Sequence, residues 1–460
     1  MTRRTLLLVA LCSACLSLMA PGAYSADPPG GIKLATFDVD ATPPVGAMMA
    51  YNPVRRVDEL TLRCRGIVLI GAGEPIVLCA IDWIGLYNEG HDAFRETLAT
   101  AAGTTPQRVS VHCLHQHDAP ACDFSAERLL VEAGHQNIGR YESAFARELL
   151  QRLSTAVKAA MPAARPITHY GYGAAEVEGV ASNRRILGPD GKVRVTRFTA
   201  TADPAVRAEP VGTIDPVVSL LSFWDGDQPV ACLTYYACHP QSYYRTGIPS
   251  PDFPGIARFI RGQELNETLH VHFNGAGGNI GAGKYNDGAH KNRLILATRL
   301  ADGMQRAFEN TTKAPLTASD VAWQTEPVSL PLAKYLDKDK LTEQVKNFNV
   351  NQNFGAPEEL AFVQRTLSGR KIDLGCLSIG DVRVVHMPGE LFIEYQLAAK
   401  AMRPDLKVMM AAYGDNGPGY IGTEISYTQG GYEVEPRSSL TAPEVETVLM
   451  NGMKKLLGAK

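Results

Sequence analysis

The chain has little of what nucleic-acid-binding and membrane-spanning proteins are built from. Its 460 residues carry 45 Lys and Arg against 48 Asp and Glu, for a net charge of -3, with no block or stripe of one sign. Such a surface does not neutralise phosphates, so no nucleic-acid partner is expected. After residue 19 no apolar run is long enough to cross a bilayer, so no transmembrane segment is expected either. Cysteine is scarce. Of the nine, Cys12 and Cys15 fall in the N-terminal apolar run, which leaves an odd number, and a chain this long does not need a disulfide framework. No internal repeat, low-complexity tract or linker stands out, and 45% hydrophobic against 20% charged residues is a globular balance.

What is present begins with an export signal: Arg3-Arg4, an apolar run over 6–19, then small residues placed for cleavage over 21–25. Residues 1–26 are read as a signal peptide and 27–460 as one domain, delivered to the periplasm or secreted. The sequence leaves the oligomeric state open. Alternation and apolar runs predict strands at 34–40, 61–70, 76–81, 217–224, 230–237, 270–274, 377–386 (a hairpin) and 408–413, with another from residue 108 onward. Helical spacing predicts helices at 92–102, 141–161, 292–308, 391–402 and 442–457. The mixture indicates an α/β fold: a single large domain of mixed β-sheet layers flanked by helices, with its site at strand carboxyl ends. The stretch 311–373 is less regular and is expected to hold a loop over that site.

The chemistry starts at His115-Gln116-His117, which follows an apolar run and precedes Pro120. Side chains two apart on a strand share a face, so both imidazoles can enter one pocket. Neutral imidazole is a common zinc ligand and a proton carrier. His239 stands at the end of another apolar strand. Asp82 also ends a strand, where it is either a site carboxylate or a cap for the next segment. Cys113 and Cys238 neighbour the histidines, yet small buried thiols are the commoner outcome. Gly278 to Lys284 has phosphate-loop spacing, but Tyr285 occupies the place where Ser or Thr would hold magnesium, so the glycines read as a tight turn lining a site. Alone, Arg184 reads as solvated surface, Tyr420 and Tyr432 as loop aromatics, and Glu390 as a carboxylate opening the 391–402 helix for its dipole.

In their order, these segments resemble the catalytic domain of the neutral/alkaline ceramidase family, from about Ile32 to the end of the chain. Asp40-Ala41-Thr42-Pro43-Pro44-Val45-Gly46 is similar to the family's D-x-T-P-P-x-G, and Leu114-His115-Gln116-His117-Asp118-Ala119-Pro120 to its T-H-T-H-S-x-P. Asn183-Arg184, His239-Pro240-Gln241-Ser242, Asp252-Phe253-Pro254-Gly255, Pro388-Gly389-Glu390, Tyr420-Ile421 and Tyr432-Glu433 resemble the later motifs. The resemblance implies a zinc held by His115, His239, Glu390 and Tyr420, with His117 and Arg184 orienting substrate and Tyr432 donating to the oxygen that gains charge. It implies attack by zinc-activated water on an amide of N-acylsphingosine or a related lipid. The rival readings are a metal-dependent hydrolase of an ester, lactone or glycan-derived small molecule, and a non-catalytic binding protein. One departure stands out: where the family has G-D-x-S-P-N, this chain has Gly278-Asn279-Ile280-Gly281-Ala282, with no hydroxyl at Gly281. A serine-dependent route is not expected.

Overall fold

The structure, a computed structural model, describes residues 31–459; the expected signal peptide lies outside the described residues. Within them the chain runs through one motif three times. Each copy has three strands in antiparallel succession, a crossover helix, a fourth strand parallel to the third, and a closing helix. The first copy uses strands Ile32–Asp40, Arg63–Ile70, Ile76–Ile81 and Val109–Cys113 with helices Glu89–Ala102 and Ala144–Ala160. The second uses His169–Glu176, Val217–Asp225, Gln228–Tyr236 and Leu269–Asn274 with Asp252–Glu264 and Lys291–Glu309. The third uses Val321–Val328, Ile372–Ile379, Val382–His386 and Lys407–Ala411 with Ile393–Met402 and Val445–Leu457. Short strands Arg165–Ile167 and Thr312–Pro315 extend the first two sheets at one edge.

Burial explains why the strands read as they do. Ile76–Ile81 and Val109–Cys113 are buried at every position, as parallel strands covered on both faces must be, and they appear in the sequence as near-continuous apolar runs. The inner faces of the three sheets share one core, to which Ile67 and Leu78, Leu221 and Leu233, and Leu377 and Val384 contribute in turn. In each copy the two helices pack on each other and the closing helix covers the first strand. The parallel strands also meet end to end: Cys113 N donates to Tyr413 O at 2.8 Å, and Ala412 N donates to Asn274 O at 2.9 Å. Three sets of strand carboxyl ends therefore converge on one place, where open α/β sheets characteristically bind ligands.

Three expectations need correction. Glu390 does not open a helix. Glu390–Leu391 is a two-residue strand parallel to Tyr420–Ile421, and the helix starts at Ile393. The 311–373 stretch is largely regular, holding Val321–Val328 and helices Lys338–Lys346 and Ala356–Leu367, the latter two packed on Phe124–Glu132. Finally, the histidine strand stops at Cys113, so strand alternation is not what aligns His115 with His117.

Candidate functional site

Every copy of the motif reaches the convergence point: His115 comes after Val109–Cys113, His239 after Gln228–Tyr236, and Glu390 after Val382–His386. His115 turns inward because its backbone is left-handed, with φ 67°, a conformation that costs a residue with a Cβ and is found where the surroundings enforce it. Its N–H is fixed to Trp83 O at 2.9 Å, and its Nδ1 lies 2.5 Å from Ile84 O. A carbonyl only accepts, so Nδ1 carries the proton and Nε2 faces the site as a lone pair. His239 is held by its N–H to Ile280 O at 3.0 Å. Glu390 and Tyr420 are register partners on neighbouring strands, which puts their side chains on the same face.

These groups form one cluster. The His115 and His239 rings lie 4.8 Å apart between centroids and those of His115 and His117 5.0 Å apart, while Nε2 of His117 is 3.1 Å from Nε2 of His239. His115 Nε2 sits 3.2 Å from Glu390 Oε2, without the geometry of a hydrogen bond, and His239 Nδ1 sits 3.8 Å from the same oxygen. Both Glu390 Oε2 and His239 Nδ1 are buried with no hydrogen-bond partner. Burial, and after it the neighbouring His115 imidazole and Arg184 guanidinium, holds His117 and His239 well below the usual imidazole range, so both stay neutral. Neutral imidazole is the form that ligates a cation. The imidazoles of His115, His117 and His239 thus make a group able to bind a metal ion. The orphaned carboxylate oxygen and ring nitrogen beside them fit that role, because a cation satisfies acceptors that no protein donor reaches.

Arg184 and Tyr420 close the other side. The buried guanidinium spends Nη1 on Gly278 O (3.2 Å) and Tyr420 Oη (3.4 Å), while Nε lies 3.4 Å from the fully buried Glu433, which also pairs with Arg185. The Tyr420 ring stacks parallel to His239 at 6.3 Å and meets Tyr432 edge-on at 5.7 Å. Tyr432 is 42% exposed and lies at the mouth. Burial, then the charge of Glu390, raises the hydroxyls of both Tyr420 and Tyr432. They remain protonated donors unless a cation intervenes.

Gly278 permits this closeness: a Cβ there would lie 2.3 Å from Glu390 O. A Cβ at Gly281 would meet Thr199 Cγ2 at 2.9 Å and Arg184 Cδ at 3.3 Å. The space a serine would need is therefore filled by Thr199, whose hydroxyl donates to Gln241 Oε1 at 2.7 Å. Lys284 caps the backbone carbonyls of Arg207, Ala208 and Glu209, a structural use that leaves nothing for a nucleotide phosphate. Asp82 belongs to a buried pair with Arg258, at 2.8 and 2.6 Å, and takes no part in the site. The Cys113 and Cys238 thiols are buried, and desolvation raises both, as expected for inert core thiols.

Three site residues escaped the sequence reading. Tyr413, fully buried with φ 62°, places its ring 4.9 Å from His115 and leaves its hydroxyl unpartnered. It follows the fourth strand of its copy by two residues, as His115 follows that of the first, a parallel visible only once the repeat is recognised. Tyr51 Oη reaches His117 Nδ1 at 3.3 Å from a loop without pattern, and Asn416 is buried beside Glu390 with neither amide atom bonded. Two cavities flank the cluster, one of about 640 Å³ bordered by His117 and His239 and one of about 380 Å³ bordered by Glu390. Tyr51, Tyr244, Tyr420 and Tyr432 line both.

Among the described residues no helix is long and apolar enough to cross a membrane. No protein-family model and no curated protein matches the chain in sequence. Solved structures do match in shape. A structure described as a ceramidase complexed with C2 superposes with a TM-score of 0.66 at 14% identity, covering 93% of this chain and 75% of that one. The neutral ceramidase of Pseudomonas aeruginosa gives the same score and identity, covering 93% and 74%. At that identity the likeness is one of fold, and the fold is the one the sequence motifs implied.

Proposed function

We propose that this chain is an exported zinc-dependent hydrolase that cleaves an amide bond by metal-activated water. One observation carries the reading: His115 Nε2, His239 Nδ1 and Glu390 Oε2 face one another in a buried space with no hydrogen bond among them. Three acceptors from three copies of the motif, placed so, are stable when they share a cation. His115, His239, Glu390 and Tyr420 would hold it, a mixed nitrogen and oxygen set suited to zinc. A zinc ion in such a site supplies hydroxide at neutral pH.

The remaining groups act on the substrate. His117, half-buried and neutral, is placed to take a proton from the attacking water and return it to the leaving nitrogen. Arg184, held by Glu433, keeps a positive charge beside the oxygen that becomes negative, and Tyr432 can swing its hydroxyl onto the same oxygen from the mouth. With Gly281 occluded by Thr199, no hydroxyl nucleophile is supplied at that position. The amide bond as target rests on the ceramidase fold and on the motif order. Metal analysis of protein purified without chelator tests the reading first, and should find close to one zinc per chain, removal of which abolishes hydrolysis of N-acetylated amines. Metal-free protein that hydrolyses such amides at full rate, or zinc-loaded protein inert to amides and esters alike, overturns it.

A further inference from the structure

We propose that the 380 Å³ cavity beside Glu390 is a recognition subsite for a carboxylate-bearing N-acyl compound, and not for a hydrocarbon chain. The inference rests on the hydrolase reading for the bond that is cut and on the cavity itself for what is bound. An acyl or sphingoid chain gains affinity methylene by methylene from apolar walls. Here Leu440 and Phe354 are the only wholly apolar side chains in the wall, and apart from glycines the rest is phenol, guanidinium, carboxylate, amide and one serine.

That wall holds three arginines and three carboxylates, but they are not all paired. Arg140 is ion-paired with Glu358. Arg245 and Arg437 have no ion-pair partner among the described residues. The Arg245 guanidinium lies over the rings of Tyr51, at 5.1 Å, and Tyr244, at 5.4 Å, which steadies its plane and leaves its N–H edge to a ligand. Glu359 is the acid nearest in effect to Arg437, but it forms no ion pair with it, and burial favours its neutral form. Both arginines are held in left-handed backbone, with φ 64° for Arg245 and 75° for Arg437. Strain of this kind is retained where a side chain has to be aimed.

Asn416 supplies the second, independent pointer. It is 1% exposed and lines the same cavity, its backbone N–H is fixed to Leu86 O at 2.9 Å, and neither Oδ1 nor Nδ2 has a partner. A buried carboxamide left wholly unpaired is costly. A ligand amide can answer either atom, its C=O accepting from Nδ2 or its N–H donating to Oδ1. A molecule whose amide meets Asn416 near Glu390 and whose carboxylate reaches the two mouth arginines would engage both unpaired guanidinium groups and the buried carboxamide. Planar, two-pronged carboxylate recognition is what guanidinium does best.

Three amides that share an acetyl group separate the possibilities: N-acetylglutamate, N-acetylglucosamine and N-acetylsphingosine, assayed with the zinc-loaded protein. The expected result is kcat/KM for N-acetylglutamate on the order of a hundredfold above the other two. Arg245→Gln and Arg437→Gln should each raise its KM on the order of tenfold with kcat little changed, and leave the two neutral substrates unaffected. Preference for N-acetylsphingosine or N-acetylglucosamine, or an unchanged KM in both variants, overturns the proposal. If no amide is cleaved the hydrolase reading fails, and calorimetric titration with N-acetylglutamate decides the subsite by itself. Binding that weakens on the order of tenfold in either variant supports it, and absence of binding to the unmodified protein refutes it.

Discussion

Three residues apart in the chain, His112 and His115 anchor two histidine clusters of opposite character. In the first, His112 Nδ1 donates to Ala412 O at 2.7 Å, while Ser110 Oγ lies 2.7 Å from His112 Nε2 and 2.9 Å from His386 Nδ1. His386 donating to Ser110 and Ser110 donating to His112 closes that set with the protons the protein already has. Only His386 Nε2 is left over, facing a void of about 30 Å³, room for a water molecule. In the second cluster the carboxylate of Glu390 has been added and no serine bridges the imidazoles. Glu390 Oε2 and His239 Nδ1 are left without a hydrogen-bond partner. Proton bookkeeping, more than the density of histidines, is what separates a structural cluster from one that needs a ligand.

The sharpest way to break the comparison is to take ligands from the second cluster. Glu390→Ala or His239→Ala should empty the site of zinc and abolish turnover, and metal content equal to wild type in both variants would contradict the assignment. His117→Gln decides between two ligand sets. If His115, His239, Glu390 and Tyr420 hold the ion, zinc stays while turnover drops by on the order of a hundred- to ten-thousandfold, the range for loss of a general base. Loss of zinc along with activity would instead make the three imidazoles the ligands. Tyr432→Phe should retain metal and slow turnover by on the order of ten- to a thousandfold, the range for loss of one oxyanion donor.

The first cluster should respond in stability alone. His112→Leu strands Ala412 O, Ser110 and His386 and should cost about 1–3 kcal/mol of unfolding free energy, with zinc content and kcat intact. The smallest effect is in its pH dependence. Burial lowers His112 to about 3, against about 6.5 in an unfolded chain. Between those values the unfolded state takes up a proton that the folded state refuses, so the stability due to this group is whole above about pH 6.5 and falls as pH drops. The slope is at most about 1.4 kcal/mol per pH unit. The gap between wild type and His112→Leu in urea titrations should therefore narrow from pH 7 to pH 4, and a gap that widens would reverse the assignment.

Local sequence carried the strands and the candidate ligands further than it carried the architecture. Buried parallel strands such as Ile76–Ile81 announce themselves as apolar runs, and a histidine just past such a run, as at His115 and His239, has few purely structural reasons to be there. The three-part repeat stayed hidden because what recurs is strand order and helix placement, with different side chains in each copy. Glu390 was misread for a related reason: a two-residue strand exists only through its partner Tyr420, and no local pattern encodes that pairing. Tyr51, Tyr413 and Asn416 lie in loops with ordinary compositions, and only their unmet or shared hydrogen bonds reveal them. The helices Lys338–Lys346 and Ala356–Leu367 were lost among polar residues whose amphipathic stripe faces a small satellite core.

The drawing of ligands from all three motif copies has a mechanical consequence. No third of the chain can grip an ion by itself, and the last arm arrives only when the C-terminal third has docked. An ion that does bind acts as a rivet through all three sheets, joining ends that are far apart in the sequence, so its binding energy adds directly to the resistance of the whole assembly against coming apart. Chelation would then loosen the molecule at its centre while leaving its outer helices in place.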